Sequence, residues 1–297
     1  VKIGLFQADG VLVDKWEIKT RTENKGEAIL PDIAEAIAEK CKKDGIARED
    51  MEGIGIGIPA PVNEDGVVKN TANLGWGYKE VKHELEELTG FKVEVGNDAN
   101  MAALGEMWLG AGRGHKNLVM VTLGTGVGGG VIVGGRPLVG TNGAGGEIGH
   151  ILANRQETDK CGCGKKGCLE QYASATGIAR LARIRLAKNN DMTLLRGQEI
   201  TAKAVFDALK EGDKVAEEIV EEFGAYLGYA LADVAAVIDP SMFIIGGGVS
   251  KAGPIIIQYV KKYFLEKAFF ANEGTEFIIA VLGNDAGICG AAKLILG

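Results

Sequence analysis

The 297-residue sequence predicts an α/β fold laid down twice, and three features of it carry that reading. Short apolar strands alternate with amphipathic helices along the chain, which is the pattern of an α/β fold with mixed sheets. The opening KIGLFQADGVLVD shares its plan with the central LVMVTL and GVIVGGRPLVG, apolar strands joined by short turns, so the halves read as copies. The 45 glycines are concentrated behind apolar runs, in GTGVGGG (124–130), TNGAGGEIGH (141–150) and IIGGGVS (244–250). Glycine there lets backbone approach a ligand, often a phosphate; one cluster alone would be read as a tight turn, but three point to a nucleotide site.

The elements follow in order. KIGLFQ and VLVDKWEI are strands joined by Asp9-Gly10, a hairpin dipeptide. A helix is expected near 27–43, because Leu30, Ile33, Ala34, Ile37, Ala38 and Cys41 share one face and Gly45 suits its end. GIGIGIP (53–59) reads as a buried strand running into a loop. Val81, Leu85 and Leu88 form the face of a second helix closed by Gly90, FKVEV is a strand, and Asn97 or Asp98 caps a helix through Met107. Composition changes at GAGRGHKN (110–117), where a domain boundary is placed: residues 1–112 form one domain and 113–283 a larger one. LVMVTL and GVIVGGRPLVG are strands, helices are expected near 201–211 and 213–237, MFIIGGG (242–248) is a strand with its glycine turn, and EFIIAVLG (276–283) is the last strand. Asp285 opens a final helix to Leu296; Cys41 and Cys289 are assigned to packing. In the second copy a strand and glycine turn come before the paired strands. The comparison leads us to expect the same ahead of Val1.

At 46% apolar and 25% charged residues the composition is that of a globular protein, and a formal charge of −7 argues against a nucleic-acid binder. No apolar run approaches the roughly 18 residues of a membrane span, and no signal peptide is seen, so no membrane partner and a cytoplasmic location are expected. Five cysteines, an odd number, point to reduced thiols or a metal rather than a disulfide framework.

Three of the five fall in CGCGKKGCLE (161–170). Cys161, Cys163 and Cys168 are spaced C-x-C-x4-C, wrapped by glycines and surrounded by basic residues, a poor setting for core packing. A tetrahedral Zn²⁺ needs a fourth ligand. Of the three histidines, His83 sits in a charged helix and His115 in a basic loop, while His150 lies just upstream of the cysteines. A Cys3His site follows, structural because it leaves no open position; free thiols or a redox pair are the alternatives, though C-x-x-C is absent.

GAGGEIGH (143–150) followed by CGCGKKGCLE resembles the zinc signature of the ROK family (repressor, open reading frame, kinase). NLGW (73–76), NDANMAALGEMWLGAG (97–112), LVMVTLGTGVGGG (118–130) and LGNDAGICGAA (282–292) look like its bacterial glucokinases. The resemblance implies a duplicated actin-like, ribonuclease H-like ATPase fold, two domains flanking a cleft, with residues 284–297 returning to the small domain. It implies phosphorylation of glucose at the 6-hydroxyl by ATP with Mg²⁺. Asp98 matches the family's general base, where the plain alternative is a helix cap; Asn97, Glu147, His150 and Glu170 match sugar ligands. His150 then serves the metal through one ring nitrogen and the sugar through the other. Gly124, Thr125 and Gly126 match a phosphate loop, and Gly246, Gly247 and Gly248 the adenosine-side loop. The family's first phosphate motif, Asp-x-Gly-Gly-Thr, is expected immediately ahead of VKIGLF. Family members commonly form homodimers or larger homo-oligomers. Other readings are a different hexose or N-acetylamino-sugar kinase, polyphosphate as donor, or a sugar-sensing repressor without its DNA-binding domain.

Overall fold

The computed structural model describes residues 1–71 and 73–297. They divide into two compact units, one of residues 1–116, 130–146 and 281–297, the other of residues 117–129 and 147–280.

The first unit opens with β1 (Lys2–Phe6) and β2 (Leu12–Glu17), antiparallel with Ile3 opposite Trp16. Asp9 Oδ1 accepts from the Val11 amide at 3.1 Å and closes the turn expected at Asp9-Gly10. Helix α1 (Ile29–Asp44) buries Ile29, Leu30, Ile33 and Ile37, half-buries Cys41 and stops at left-handed Gly45. Strand β3 (Ile54–Ile58) is followed by the short pair β4 (Val67–Val68) and β5 (Lys79–Glu80), then by α2 (Val81–Thr89). Val81 and Leu85 are fully buried, but Leu88 is 50% exposed, so the stripe expected on α2 is one residue narrower. Leu88 lies within α2 on the same face as Val81 and Leu85, near the C-terminal end of the helix. Strand β6 (Val93–Asn97) runs parallel to β3, with Ile54 beside Val93 and Ile58 beside Asn97. Helix α3 (Asp98–Leu109) follows at once.

The chain then passes through β7 (Leu118–Leu123), β8 (Val127–Val133) and β9 (Arg136–Pro137). After the loop of 138–169 come α4 (Glu170–Ala173), α5 (Ala175–Lys188), α6 (Ala202–Lys210) and α7 (Lys214–Ile238). Next are β10 (Met242–Gly246), α8 (Ile255–Lys267) and β11 (Glu276–Ile279), before α9 (Ala286–Leu296) rejoins the first unit. The strand order is β11-β10-β7-β8-β9. β7, β10 and β11 are parallel, Leu118 beside Met242 and Met242 beside Glu276.

Helices α5 and α8 were not expected from the sequence. α8 begins with three consecutive isoleucines, β-branched residues that argue against a helix locally; only the buried positions Ile256, Val260 and Phe264, four apart, show the period. The last strand also ends earlier than EFIIAVLG suggests. The amides of Val281 and Leu282 both donate to Glu106 Oε1, at 3.0 and 2.8 Å, and so are not available to a neighbouring strand. Asp285 makes no cap bond at α9; its carboxylate pairs instead with Lys2 at 3.0 Å and Lys15 at 2.6 Å. Cys289 on α9 is buried, consistent with a packing role. Among the described residues no helix is long and apolar enough to cross a membrane.

Candidate active site and metal centre

Two glycine turns sit at the carboxyl ends of adjacent parallel strands, the place where open α/β sheets bind ligands. Gly124, Thr125 and Gly126 follow β7, and Gly246–Gly248 end and follow β10, with Gly246 in register with Thr122. The first turn is fixed by bonds from Gly124 N to Gly126 O at 3.0 Å, from Ala175 N to Gly124 O at 2.8 Å, and from Thr176 Oγ1 to Thr125 O at 2.7 Å. Gly247 has φ +83, and a Cβ there would lie 2.5 Å from Leu123 O, so this turn requires glycine. Thr125, Gly247 and Gly248 are exposed, leaving backbone open to an anion.

The same unit carries the cysteine cluster. Two stretches of the loop run antiparallel: Leu169 N donates to Ile151 O at 2.9 Å and Ala153 N to Gly167 O at 2.7 Å. That pairing brings His150 next to Glu170, twenty residues later in sequence. Cys161 and Cys163 lie on a tight turn, closed by Cys161 N to Lys165 O at 2.7 Å and Gly164 N to Cys161 O at 2.9 Å.

One donor atom from each of His150, Cys161, Cys163 and Cys168 falls in a group whose members all lie within 4.8 Å of one another. Cys163 Sγ and Cys168 Sγ are 3.6 Å apart, and Cys161 Sγ is 3.9 Å from His150 Nδ1. Two thiolates on one tetrahedral zinc, each at about 2.3 Å, are separated by about 3.8 Å. The donor set and spacing fit zinc. Burial, followed by its bond to the Glu170 carboxylate, raises the Cys161 thiol pKa, and burial raises that of Cys168. A backbone N–H from Lys165 lowers that of the exposed Cys163. Binding a cation here therefore means displacing thiol protons.

The carboxylates surround this cluster. Glu170 Oε1 accepts from Cys161 Sγ at 2.7 Å and lies 3.9 Å from His150 Nδ1. His150 Nε2, the ring nitrogen away from Cys161, lies 3.9 Å from Glu147 Oε2. Glu170 also rests against the first glycine turn: a Cβ on Gly126 would meet Glu170 Oε2 at 2.6 Å. Thus Glu147, His150, Glu170, the three cysteines and the glycine turn at 124–126 are neighbours within one unit.

A polar network behind the cluster had not been anticipated. Gln171 accepts from the Cys168 amide at 3.0 Å and donates to Asp159 O at 3.1 Å. Tyr172 Oη donates to Glu157, which also receives Arg180 Nη2 at 2.7 Å; Arg180 in turn lies over the Tyr172 ring. Burial alone would raise the Glu157 pKa, but the bonds from Tyr172, the Asp159 amide and Arg180 outweigh it and bring it from 4.5 to about 2. Burial, reinforced by Glu157, raises Tyr172 to about 12. The one sequence signal was the position of Gln171 and Tyr172 directly after Glu170.

Asn97 and Asp98 belong to the first unit. Asn97 Oδ1 accepts from the amides of Ala99 at 2.9 Å and Asn100 at 3.2 Å, and its Nδ2 donates to Ala60 O at 3.2 Å. Asn97 is therefore the cap of α3, with one N–H left for a ligand. Asp98 is exposed in the first turn of α3, with Oδ1 2.8 Å from the Ala99 amide. Trp76 of NLGW is buried and donates through Nε1 to Gly26 O at 2.9 Å, which holds the 24–26 turn. His83 is exposed beside Glu87, and His115 is half-buried.

The model of the ROK family matches residues 1–297. The chain belongs to the ROK family. It is 42% identical over 301 residues to a glucokinase of Halalkalibacterium halodurans, covering 99% of this chain and 91% of that one. A glucokinase of Thermotoga maritima is 38% identical, with 99% and 93% covered. Among solved structures, the ROK family glucokinase of Streptomyces griseus in complex with glucose and AMPPNP superposes with a TM-score of 0.75. It is 34% identical over 98% of this chain and 94% of that one. The fold of this ROK chain is accordingly the duplicated actin-like ATPase fold.

Proposed function

We propose that this protein is an ATP-dependent glucokinase that transfers the γ-phosphoryl group to the 6-hydroxyl of glucose. The observation that carries the reading is the meeting of Glu147, His150 and Glu170 beside a four-donor metal cluster and a glycine turn. A sugar presents a ring of hydroxyls, and two carboxylates with an imidazole N–H form a matching set of acceptors and donors. The named glucokinases at 42% and 38% identity support glucose as the sugar.

In this reading Glu147, Glu170 and His150 hold sugar hydroxyls, and Asn97 adds its remaining N–H. Asp98 accepts the 6-hydroxyl proton as that oxygen attacks phosphorus. The amides of Gly124–Gly126 receive phosphate, and the Gly246–Gly248 turn lies on the adenosine side. Mg²⁺ bound with the nucleotide would supply charge neutralisation for the transferring group. A zinc ion on His150, Cys161, Cys163 and Cys168 would supply structural clamping alone: with four protein ligands it has no position for a substrate. The residues that touch it would then carry Glu147 and Glu170 on restrained loops, which lowers the entropy lost when sugar binds. A cytoplasmic homo-oligomer remains part of the proposal.

A coupled assay with a panel of hexoses and N-acetylamino sugars tests it, with ATP and polyphosphate as alternative donors. Glucose with ATP should give the highest kcat/KM. Fastest turnover of an N-acetylamino sugar would reassign the substrate, and tight sugar binding with no turnover would favour a sensor.

A further inference from the structure

The opening residues of α5 hold the first glycine turn by its carbonyls. Gly124 O accepts from Ala175 N at 2.8 Å and Thr125 O from Thr176 Oγ1 at 2.7 Å, while Gly126 O accepts from Gly124 N at 3.0 Å. No backbone amide reaches Thr125 O among the described residues, so this carbonyl depends on the Thr176 hydroxyl. The Thr125–Gly126 peptide is trans, so its C=O and N–H point opposite ways. Holding Thr125 O against α5 therefore turns the Gly126 N–H away from α5. Glycine at 126 makes rotation of that peptide plane cheap. A flipped plane would offer an oxygen where an anion needs an N–H.

Ser174 explains why the Thr176 proton is available for this task. Ser174 is fully buried, caps α5, and accepts from Gly177 N at 2.9 Å. Its Oγ lies 2.6 Å from Glu170 O and 2.9 Å from Thr176 Oγ1. Three oxygen–oxygen contacts thus run from Glu170 through Ser174 and Thr176 to Thr125, but the two hydroxyls bring only two protons. The two shortest contacts are the outer ones. The Ser174 proton therefore goes to Glu170 O and the Thr176 proton to Thr125 O. Ser174 steadies the backbone of a carboxylate proposed to bind sugar, and Thr176 does the same for the turn proposed to bind phosphate.

We propose that Thr176 is a positioning residue for nucleotide binding: its hydroxyl locks the Thr125–Gly126 peptide in the orientation that presents the Gly126 N–H to phosphate. The inference rests on the reading above in which the turn at 124–126 receives phosphate. Thr176 sits in the first turn of α5 with its side chain exposed, so removing the hydroxyl opens no cavity in the core. The α5 cap is the Ser174 side chain and is left in place. The effect of the substitution is then confined to the peptide that Thr176 holds.

The test compares Thr176→Val, which keeps the shape and loses the hydroxyl, with Thr176→Ser, which keeps the hydroxyl. AMPPNP with Mg²⁺, a non-hydrolysable stand-in for ATP, is titrated into the full chain without sugar. The proposal expects Thr176→Val to weaken AMPPNP at least about fivefold and Thr176→Ser to stay within about twofold of the unmodified protein. Binding of the best sugar substrate, measured without nucleotide, should change less than about twofold in both variants. In steady state, Thr176→Val should raise the ATP KM more than the sugar KM. AMPPNP should also protect the Gly126 amide from hydrogen exchange, with that protection reduced in Thr176→Val and kept in Thr176→Ser. Unchanged AMPPNP affinity in Thr176→Val would overturn the proposal, and so would equal losses in the two variants. Equal weakening of AMPPNP and sugar in Thr176→Val would mark a general loss of structure and would also overturn it. The substrate reading fails separately, if the unmodified protein phosphorylates no sugar in the panel; the AMPPNP titration still decides on Thr176.

Discussion

The Cys161 thiol donates to Glu170 Oε1 across 2.7 Å, joining a residue of the four-donor cluster to a carboxylate proposed to bind sugar. The other oxygen of the same carboxylate occupies the space that a Cβ on Gly126 would need, 2.6 Å from it. Glu170 therefore responds to changes at both the cysteine cluster and the phosphate-side turn.

A thiol that donates to Glu170 cannot at the same time serve as a thiolate ligand. Removing metal with a chelator should therefore raise the glucose KM, by about tenfold or more, while the fold of the first unit persists. Elemental analysis before and after treatment, with glucose titrations, checks this. Cys161→Ser should behave like the chelated protein. Because burial raises the thiol pKa of Cys161 and Cys168, apparent zinc affinity should increase with pH.

Asp98→Asn should lower kcat by about 10²- to 10⁴-fold with a small change in glucose affinity, because the amide cannot accept the proton. The cap of α3 is held by Asn97, so thermal stability should change little. A large fall in Tm with kcat preserved would reduce Asp98 to a structural residue.

Gly126→Ala places a methyl group 2.6 Å from Glu170 Oε2 and should displace that carboxylate. Loss of one charged hydrogen bond to sugar corresponds to a rise in glucose KM of about tenfold. Gly247→Ala, strained at φ +83 against the Leu123 backbone, should instead raise the ATP KM. Paired KM measurements for the two variants distinguish the turns.

The Glu157 pKa is depressed from 4.5 to about 2 in the fold, so its stabilisation is complete above about 4.5 and is lost as pH falls through about 2. Tyr172 is raised from 10.0 to about 12, so its contribution is present below 10.0 and is lost as pH rises through about 12. Urea denaturation against pH should show both arms. Glu157→Gln should cost about 2–3 kcal/mol at neutral pH and flatten the acid arm. An acid arm unchanged in the variant would assign acid sensitivity to other carboxylates.

Sequence alone located most strands, the Gly45 and Gly90 helix ends, the cap at 97–98 and the C-x-C-x4-C donors with His150. These depend on short-range rules: alternation, the 3.6-residue period, left-handed glycine and ligand spacing within one loop. Tertiary structure decided the rest. Leu88 is exposed although it shares the helical face of buried Val81 and Leu85, and Asp285 is claimed by Lys2 and Lys15, more than 250 positions away. α8 became a helix because its Ile256, Val260 and Phe264 stripe found a core, against the local preference of its three isoleucines. The Cys161–Glu170 bond and the Glu157–Tyr172–Arg180 network join side chains 8 to 23 positions apart. No local periodicity encodes such pairings. They exist because antiparallel loop strands and packed helices bring distant side chains within hydrogen-bond reach, where burial then makes each bond obligatory.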